Sequence, residues 1–281
     1  MSDPVSSDSS EPFGRSSLLE FAQTAQHAAR LGGEQLMSRL GKAKVEKKGP
    51  RDLVTEADFA SQAAIKAFLN QEYPDHRFVG EEQTTDDLVS ESREPSHSEF
   101  CWVVDPLDGT TNYVHRLPSF SVSVGLQYGG VSIAGAVWDP ILKEMYWAAE
   151  GQGAYCNNEP IRASSCRKLS ESMFVISLPR GVQRGDQPIE QMLNLLEAAG
   201  SIRRLGSAAL NLCYVAQGRI DGYWATGLSA WDVAAGSLIA VEAGANLRGV
   251  DGAAFQVDLP SFICASTADL FEQARRILAP S

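Results

Sequence analysis

Cysteine is scarce in this sequence, and its spacing excludes the usual thiol chemistry. The five cysteines include no Cys-x-x-Cys pair and have no nearby histidine; they are Cys101, Cys156, Cys166, Cys213 and Cys264. Zinc sites built on thiolates and disulfide frameworks both depend on such groupings. The sequence therefore predicts buried, reduced thiols, as is usual in cytoplasmic proteins.

Long apolar runs are also missing. No run approaches the ~20 residues that a membrane-spanning helix requires, and the segment from Met1 to Ser10 is polar and acidic, unlike a signal peptide. We therefore expect a cytoplasmic protein with no membrane partner.

Positive charge is in short supply. The net charge is −11, and the 24 lysine and arginine residues are scattered along the chain. Proteins that clamp nucleic-acid phosphates usually carry basic patches, so this balance argues against a nucleic-acid partner. An anionic substrate would need local positive charge, such as metal ions.

The chain does have enough apolar material for a full hydrophobic core, with 281 residues of which 44% are apolar. Residues 1–15 are rich in serine, aspartate and proline and predict a disordered tail, because they cannot bury enough apolar surface to order themselves. Residues 16–281 predict one catalytic domain in two joined halves. The pattern indicates an α+β half over about 16–150 and an α/β half over about 151–281.

Periodicity predicts the elements of each half. Apolar residues at helical spacing predict a helix over 17–40, and Thr55 fits the N-cap of a second helix that ends near Tyr73. A short strand is predicted over 77–80, and an antiparallel meander is predicted from strands over 101–104, 120–128, 131–138 and 144–149. The polar segment 83–99 predicts a mobile excursion. In the second half, strands over 174–178, 210–216 and 221–224 alternate with helices over 189–199, 231–243 and 268–278.

Acidic residues cluster at the ends of two predicted strands. Asp105 and Asp108 follow the apolar run 101–104, and the pair Glu81-Glu82 follows the strand over 77–80. Taken alone, Asp108-Gly109 is also typical of a turn. Burying so many carboxylates without a cation would be costly, however.

A third acidic position, Asp232, opens the helix predicted over 231–243, where it could simply complement the helix dipole. Oxygen ligands without accompanying histidine or cysteine suit Mg²⁺ rather than Zn²⁺. The three acidic positions together therefore favour a magnesium site.

Three strings of this chain resemble the signatures of the inositol monophosphatase family, in the family's order and spacing. They are Gly80-Glu81-Glu82, then Trp102-Val-Val-Asp105-Pro-Leu-Asp108-Gly-Thr-Thr-Asn-Tyr113, and finally Trp231-Asp232-Val-Ala-Ala-Gly236 with Glu242-Ala-Gly244. The resemblance covers roughly residues 17–278. It implies a layered α-β-α-β-α sandwich, a homodimer, and a lithium-sensitive, Mg²⁺-dependent phosphomonoesterase that acts on a small polyol or sugar phosphate, above all inositol 1-phosphate.

The resemblance also implies the metal ligands. Glu81, Asp105 and the Leu107 carbonyl would hold one Mg²⁺, and Asp105 would bridge to a second that Asp108 and Asp232 also hold. Glu82 would support a weaker third ion through water, or would be no more than a solvated neighbour. Two or three Mg²⁺ ions per site would clamp the phosphate and activate the attacking water.

The same resemblance implies the catalytic and substrate-binding residues. Thr110 would orient the water and Asp58 would hydrogen-bond Thr110, which together with Glu81 gives the catalytic residues. Without the resemblance, Asp58 would be interpreted as first-turn helix charge. The first N–H groups of a short helix begun by Gly109 would bind the phosphate. The predicted substrate-binding set is Asp108, Gly109, Thr110, Thr111, Ala208 and Asp232.

One position departs from the inositol-specific pattern. Seven residues before Asp232, where those members have an acidic residue that binds ring hydroxyls, this chain has Ala225. We therefore expect an enlarged, less polar pocket with broad selectivity. Fructose 1,6-bisphosphate, histidinol phosphate and 3′-phosphoadenosine phosphates remain alternative substrates, although Thr111 replaces the lysine usual in nucleotide-directed members. A non-catalytic regulatory or binding protein on the same scaffold is the alternative from a different class.

Overall fold

The computed structural model describes residues 14–49, 52–82 and 99–279. Two predictions lie mostly outside the described residues: the disordered tail over 1–15, of which Gly14 and Arg15 are described, and the mobile excursion over 83–99, of which Glu99 is described. Across the described ranges, no helix is both long and apolar enough to cross a membrane.

Two helices form the first of five layers, and a seven-stranded sheet forms the second. The helices are α1 (Arg15–Arg39) and α2 (Glu56–Glu72); a small hairpin of β1 (Val45–Gly49) and β2 (Asp52–Thr55) joins them. The sheet runs in chain order through β3 (Arg77–Gly80), β4 (Phe100–Asp108), β5 (Ser121–Tyr128), β6 (Val131–Asp139), β7 (Glu144–Ala149), β8 (Ala154–Cys156) and β9 (Glu159–Pro160). All its neighbouring strands are antiparallel except β3 and β4. Buried alanine and leucine residues of α1 pack on this sheet.

The other three layers come from the rest of the chain. A five-stranded sheet has the order β11-β10-β12-β14-β13 and consists of β10 (Met173–Ser177), β11 (Ser201–Arg203), β12 (Gly222–Ala225), β13 (Asn246–Gly249) and β14 (Phe262–Ala265). The remaining helices are α3 (Thr110–Val114), α4 (Gln187–Ala198), α5 (Ala208–Ala216), α6 (Ala230–Glu242) and α7 (Ala268–Leu278). Apolar residues of α5 and α6 pack against both sheets, whereas those of α4 and α7 cover the outer face of the smaller sheet. The predicted α-β-α-β-α sandwich is confirmed.

Most of the predicted elements match the structure within a few residues. The helix α2 starts after Thr55, whose hydroxyl accepts the Ala57 N–H, and the turn between β5 and β6 uses Gly129 and Gly130 at positive φ angles. The large sheet continues to Pro160, so the predicted division near residue 150 falls inside a sheet.

Two predictions at element level are wrong. The strand predicted over 101–104 does not end before Asp105. It is β4, which continues to Asp108 and remains paired with β5 across a register shift between the two aspartates. The run 210–216 is not a strand but most of α5, whose N-cap Ser207 accepts the Leu210 N–H. A short run that is apolar on every side does not distinguish a buried strand from a buried helix by its periodicity.

Candidate active site

Three aspartates from different elements meet where the large sheet contacts the middle helical layer. Carboxylate oxygens of Asp105, Asp108 and Asp232 all lie within 4.8 Å of one another. The first two come from the end of β4, and Asp232 lies in the first turn of α6. The fold thus brings Asp232 to two aspartates of β4, although Asp105 and Asp232 are 127 positions apart in the sequence.

The irregular end of β4 sets the direction of its two carboxylates. Pairing with β5 is regular up to Asp105 and resumes at Asp108, so the intervening Pro106 and Leu107 bulge from the ladder. The Leu107 N–H donates to Asp105 Oδ1 at 3.0 Å, and Ser61 Oγ of α2 donates to the Pro106 carbonyl at 2.8 Å. The bulge is therefore held from both sides.

Asp108 also joins the large sheet to the start of α5 in the middle helical layer. Its Oδ1 accepts the Ala208 N–H at 2.9 Å, and its Oδ2 accepts the Ala209 N–H at 2.8 Å. The hydroxyls of Ser207 and Ser121 also donate to Oδ2. Asp108 thus caps α5. Its Oδ1 accepts only one of these four hydrogen bonds and so retains a lone pair for a further ligand.

Burial and mutual repulsion make this cluster unfavourable when all its carboxylates are ionised. Burial raises the pKa of Asp105 well above its usual value, and the charges of Glu81 and Asp108 raise it further. Burial raises the pKa of Asp232 to about 7, with Asp108 as the next cause. A cation among these oxygens would remove the repulsion, and hard carboxylate and carbonyl donors suit Mg²⁺. The residues present therefore fit a magnesium site.

The two glutamates lie at the end of β3, beside this cluster. The Glu81 N–H donates to the Val104 carbonyl at 3.1 Å, which extends the pairing of β3 with β4 by one residue. Glu81 is half-buried and its charge contributes to the raised pKa of Asp105, so it lies near the cluster, although it is not one of the three residues whose oxygens lie within 4.8 Å of one another. Glu82 is buried, and its charge contributes to the raised pKa of Asp58.

Thr110 and Asp58 meet as the family resemblance implies. Thr110 Oγ1 lies 3.4 Å from Asp58 Oδ1 and 3.2 Å from the Leu107 carbonyl, two acceptors for its single proton. Asp58 also accepts the Thr55 N–H at 2.8 Å and the Thr55 hydroxyl at 2.6 Å, which completes a capping box at the start of α2. Burial raises the pKa of Asp58 to about 6 although these hydrogen bonds from Thr55 oppose the rise.

The expected short helix after Gly109 is present as α3. Gly109 has φ 94°, and a Cβ atom there would lie 2.9 Å from the Ser119 carbonyl, so this turn requires glycine. Asn112 Nδ2 donates to the carbonyls of Ser119 and Leu205 at 2.6 and 2.7 Å and ties α3 to the loop before α5. Thr111 is exposed at the first turn of α3.

The structure changes the expectation for two alanines. Ala225 is fully buried among apolar residues between β12 and the middle helices, so the predicted enlarged pocket at this position is wrong. Ala225 belongs to one buried apolar cluster with Val175 and Leu212, which leaves its side chain no exposed surface. Ala208 is also buried, and its N–H donates to Asp108. Little of Ala208 is therefore exposed for the predicted contact with substrate.

Several residues that build the site were not assigned to it from the sequence; they are Thr55, Ser61, Gln62, Asn112, Ser121 and Ser207. Thr55 and Ser207 have the local pattern of helix N-caps, a signal that sequence reasoning can use. The other four act through contacts with distant segments, for which the local sequence holds no signal.

Both the sequence and the fold of this chain resemble those of known proteins. The sequence model of the family described as "Inositol monophosphatase family" matches residues 17–279. The "Inositol-1-monophosphatase" of Mesorhizobium japonicum is 37% identical over 244 residues, which cover 85% of this chain and 89% of that protein. The "Fructose-1,6-bisphosphatase/inositol-1-monophosphatase" of Aquifex aeolicus is 38% identical over 234 residues, 81% and 84% of the two chains. The crystal structure of the extragenic suppressor protein suhB from Bartonella henselae matches with a TM-score of 0.84 at 30% identity and covers 93% of this chain and 99% of its own.

Proposed function

This chain belongs to the inositol monophosphatase family, a family of phosphomonoesterases, and from that premise we propose that it hydrolyses inositol 1-phosphate and related small polyol or sugar phosphates. The observation that carries the proposal is the cluster of Asp105, Asp108 and Asp232, with its carboxylate oxygens within 4.8 Å of one another. A cluster of this kind favours a cation, and a cation among carboxylates offers a place for a phosphate.

Two Mg²⁺ ions would bind to the oxygens already described. Glu81, Asp105 and the Leu107 carbonyl would hold one ion, and Asp105, Asp108 and Asp232 the other, with Glu82 supporting a third. When bound, Mg²⁺ neutralises phosphate charge and lowers the pKa of water towards neutrality. The burial of Asp105 and the four hydrogen bonds to Asp108 keep these ligands in place before any ion arrives.

Thr110 and Asp58 would act on the attacking water. The Asp58 carboxylate is mainly ionised at neutral pH, because burial raises its pKa only to about 6. It can therefore accept a hydrogen bond from the Thr110 hydroxyl. The lone pairs of Thr110 are then left to accept a hydrogen bond from the water. The backbone N–H groups of Gly109, Thr110 and Thr111 would receive the phosphate oxygens at the start of α3.

A phosphate-release screen tests the proposal. The purified protein is assayed with Mg²⁺ against inositol 1-phosphate, fructose 1,6-bisphosphate, histidinol phosphate and 3′-phosphoadenosine phosphate, with Asp105→Asn as the inactive control. We expect Mg²⁺-dependent turnover of inositol 1-phosphate that the control lacks. A folded protein that releases phosphate from none of these substrates would instead support the non-catalytic alternative, against which the intact carboxylates and Thr110 argue.

A bisphosphate is the second candidate substrate. The relative from Aquifex aeolicus carries fructose-1,6-bisphosphatase in its name. Burial and the charge of Asp108 raise the pKa of Asp232. The Arg180 guanidinium opposes this rise, so this positively charged side chain lies near the site. It could attract a second phosphate group. Preferential turnover of fructose 1,6-bisphosphate in the screen, lost in an Arg180→Ala variant, would favour this candidate.

The remaining features that the family implies stay predictions for this chain. We propose a homodimer, which size-exclusion chromatography with light scattering would detect, and inhibition by Li⁺. A cytoplasmic location is expected from the sequence alone.

A further inference from the structure

The end of β3, which carries Glu81 and Glu82, is held by a side chain and not only by the sheet. On one side, the Glu81 N–H bonds to the Val104 carbonyl of β4 at 3.1 Å. On the other side, the Glu82 N–H donates to Gln62 Oε1 at 3.0 Å, and Gln62 Nε2 donates to the Glu82 carbonyl. The amide of Gln62 thus satisfies both backbone groups of one residue, as a neighbouring strand would.

Space for this amide is provided by a glycine. A Cβ atom at position 80 would overlap Gln62 Oε1, so any residue other than Gly80 would push the amide away from Glu82. The Gly80 backbone is in an extended strand paired with Val104, and alanine can adopt that conformation. A steric conflict between the side chains at positions 80 and 62 is therefore the expected effect of Gly80→Ala.

Gln62 belongs to a helix that also contacts the rest of the site. Ser61 and Gln62 lie three and four residues after Asp58, so all three side chains are on one face of α2. Asp58 approaches Thr110, and Ser61 donates to the carbonyl of Pro106 in the bulge between Asp105 and Asp108. Each of these residues is buried, at 1%, 0% and 2% exposure respectively. The helix α2 thus contacts the ends of both strands that carry the acidic residues.

We propose that Gln62 is a positioning residue for magnesium, which aligns Glu81 with Asp105 by holding the Glu82 backbone. The inference rests on the proposed function, because it concerns the metal site described there. A residue that orients a metal ligand changes metal affinity by about 10- to 100-fold when it is removed. Gln62→Ala should therefore raise the dissociation constant for Mg²⁺ by about tenfold or more.

The test is a double-variant cycle on full-length protein, with binding of Mg²⁺ alone measured by calorimetry at a temperature where every variant is folded. The variants are Gln62→Ala, Gly80→Ala and the double variant, and Gln71→Ala on the exposed surface of α2 is the matched control. Both single variants should weaken Mg²⁺ binding, and the control should not. The added methyl group at position 80 overlaps Gln62 Oε1 and approaches the Phe78 ring only to 3.0 Å. If it acts by displacing Gln62, the double variant should bind Mg²⁺ no more weakly than Gln62→Ala. Circular dichroism checks the fold, and Gln62→Met, which keeps the length of the side chain, replaces the alanine variant if that variant does not fold.

Two results would overturn the inference. Wild-type Mg²⁺ affinity in Gln62→Ala would show that the Glu82 backbone holds its position unaided, and multiplicative losses in the double variant would show that Gly80 acts by another route. Either result leaves the proposed function intact, provided that wild-type protein binds Mg²⁺ and releases phosphate from inositol 1-phosphate. A wild-type protein that does neither would overturn the proposed function and this inference together.

Discussion

Replacing Asp232 with asparagine should separate the electrostatic cost of the site from its architecture. Asp232 Oδ2 accepts the Ser229 N–H at 2.7 Å in the capping box that begins α6. An asparagine oxygen can accept the same hydrogen bond and fills nearly the same volume, so the helix start should survive. The substitution removes one negative charge from the cluster, and with it one proposed metal ligand.

The size of the effect follows from the pKa of this carboxyl group. Burial, followed by the charge of Asp108, raises the pKa of Asp232 from 3.8 to about 7. A change of one in pKa corresponds to about 1.36 kcal/mol, so ionising Asp232 in the metal-free fold costs on the order of 4 kcal/mol. The folded state binds this proton more tightly than the unfolded state, and the metal-free wild-type protein therefore loses stability as the pH rises from about 4 to about 7.

Urea unfolding in EDTA between pH 4 and pH 8 measures this cost. We expect metal-free Asp232→Asn to match wild type at the acidic end and to exceed its free energy of unfolding by up to about 4 kcal/mol at the basic end. Added Mg²⁺ should stabilise wild type strongly and the variant weakly, and the variant should lose turnover. The control is Asp186→Asn, which removes one charge from the exposed N-terminus of α4.

Two outcomes would refute the reasoning on Asp232. A metal-free variant no more stable than wild type at pH 8 would mean that the cluster carries no electrostatic cost. Equal stabilisation of both proteins by Mg²⁺ would mean that Asp232 is not a ligand.

Three further predictions concern catalysis, inhibition and packing. Thr110→Ala should lower kcat by roughly two to four orders of magnitude while KM and Mg²⁺ affinity hold; steady-state kinetics decide, and a raised KM with unchanged kcat would make Thr110 a binding residue. LiCl, measured against a KCl control, should inhibit turnover uncompetitively by occupying the second metal position, and insensitivity would contradict that competition. Ala225→Glu should lower the free energy of unfolding by on the order of 3 kcal/mol or more, because it buries an unpaired carboxylate; unchanged stability in urea would show that the new side chain reaches solvent.

The sequence predicted those parts of the fold in which local chemistry and tertiary structure agree. The helix α2 begins after a capping threonine, and β5 and β6 are β-rich runs with a Gly129-Gly130 turn between them. Elements without such signals were missed. The hairpin of β1 and β2 is short and rich in lysine, and β11 has only three residues, so neither shows a period long enough to recognise.

The acidic residues of the site could be predicted, whereas their supports could not. Asp105 and Asp108 stand at the end of an apolar run, where a carboxylate is conspicuous. Gln62 and Ser121 are common residues inside ordinary elements, and their contacts to Glu82 and Asp108 exist only once α2 and β5 have packed beside them. Ala225 illustrates the opposite error: its position in the sequence suggested an opening, but its side chain is fully buried in an apolar cluster.

Asp108 links metal binding to the contact between the two halves of the molecule. It lies at the end of β4 in the large sheet, yet its carboxylate caps α5, whose apolar residues pack against the smaller sheet. Burial raises the pKa of Asp108, and the hydrogen bonds from Ser207 and the α5 backbone oppose this rise. The same hydrogen bonds that hold the layers together therefore favour the ionised form that a cation needs. A cation at this carboxylate would in turn favour the ionised form that caps α5, so metal binding and packing of the middle layer should stabilise each other.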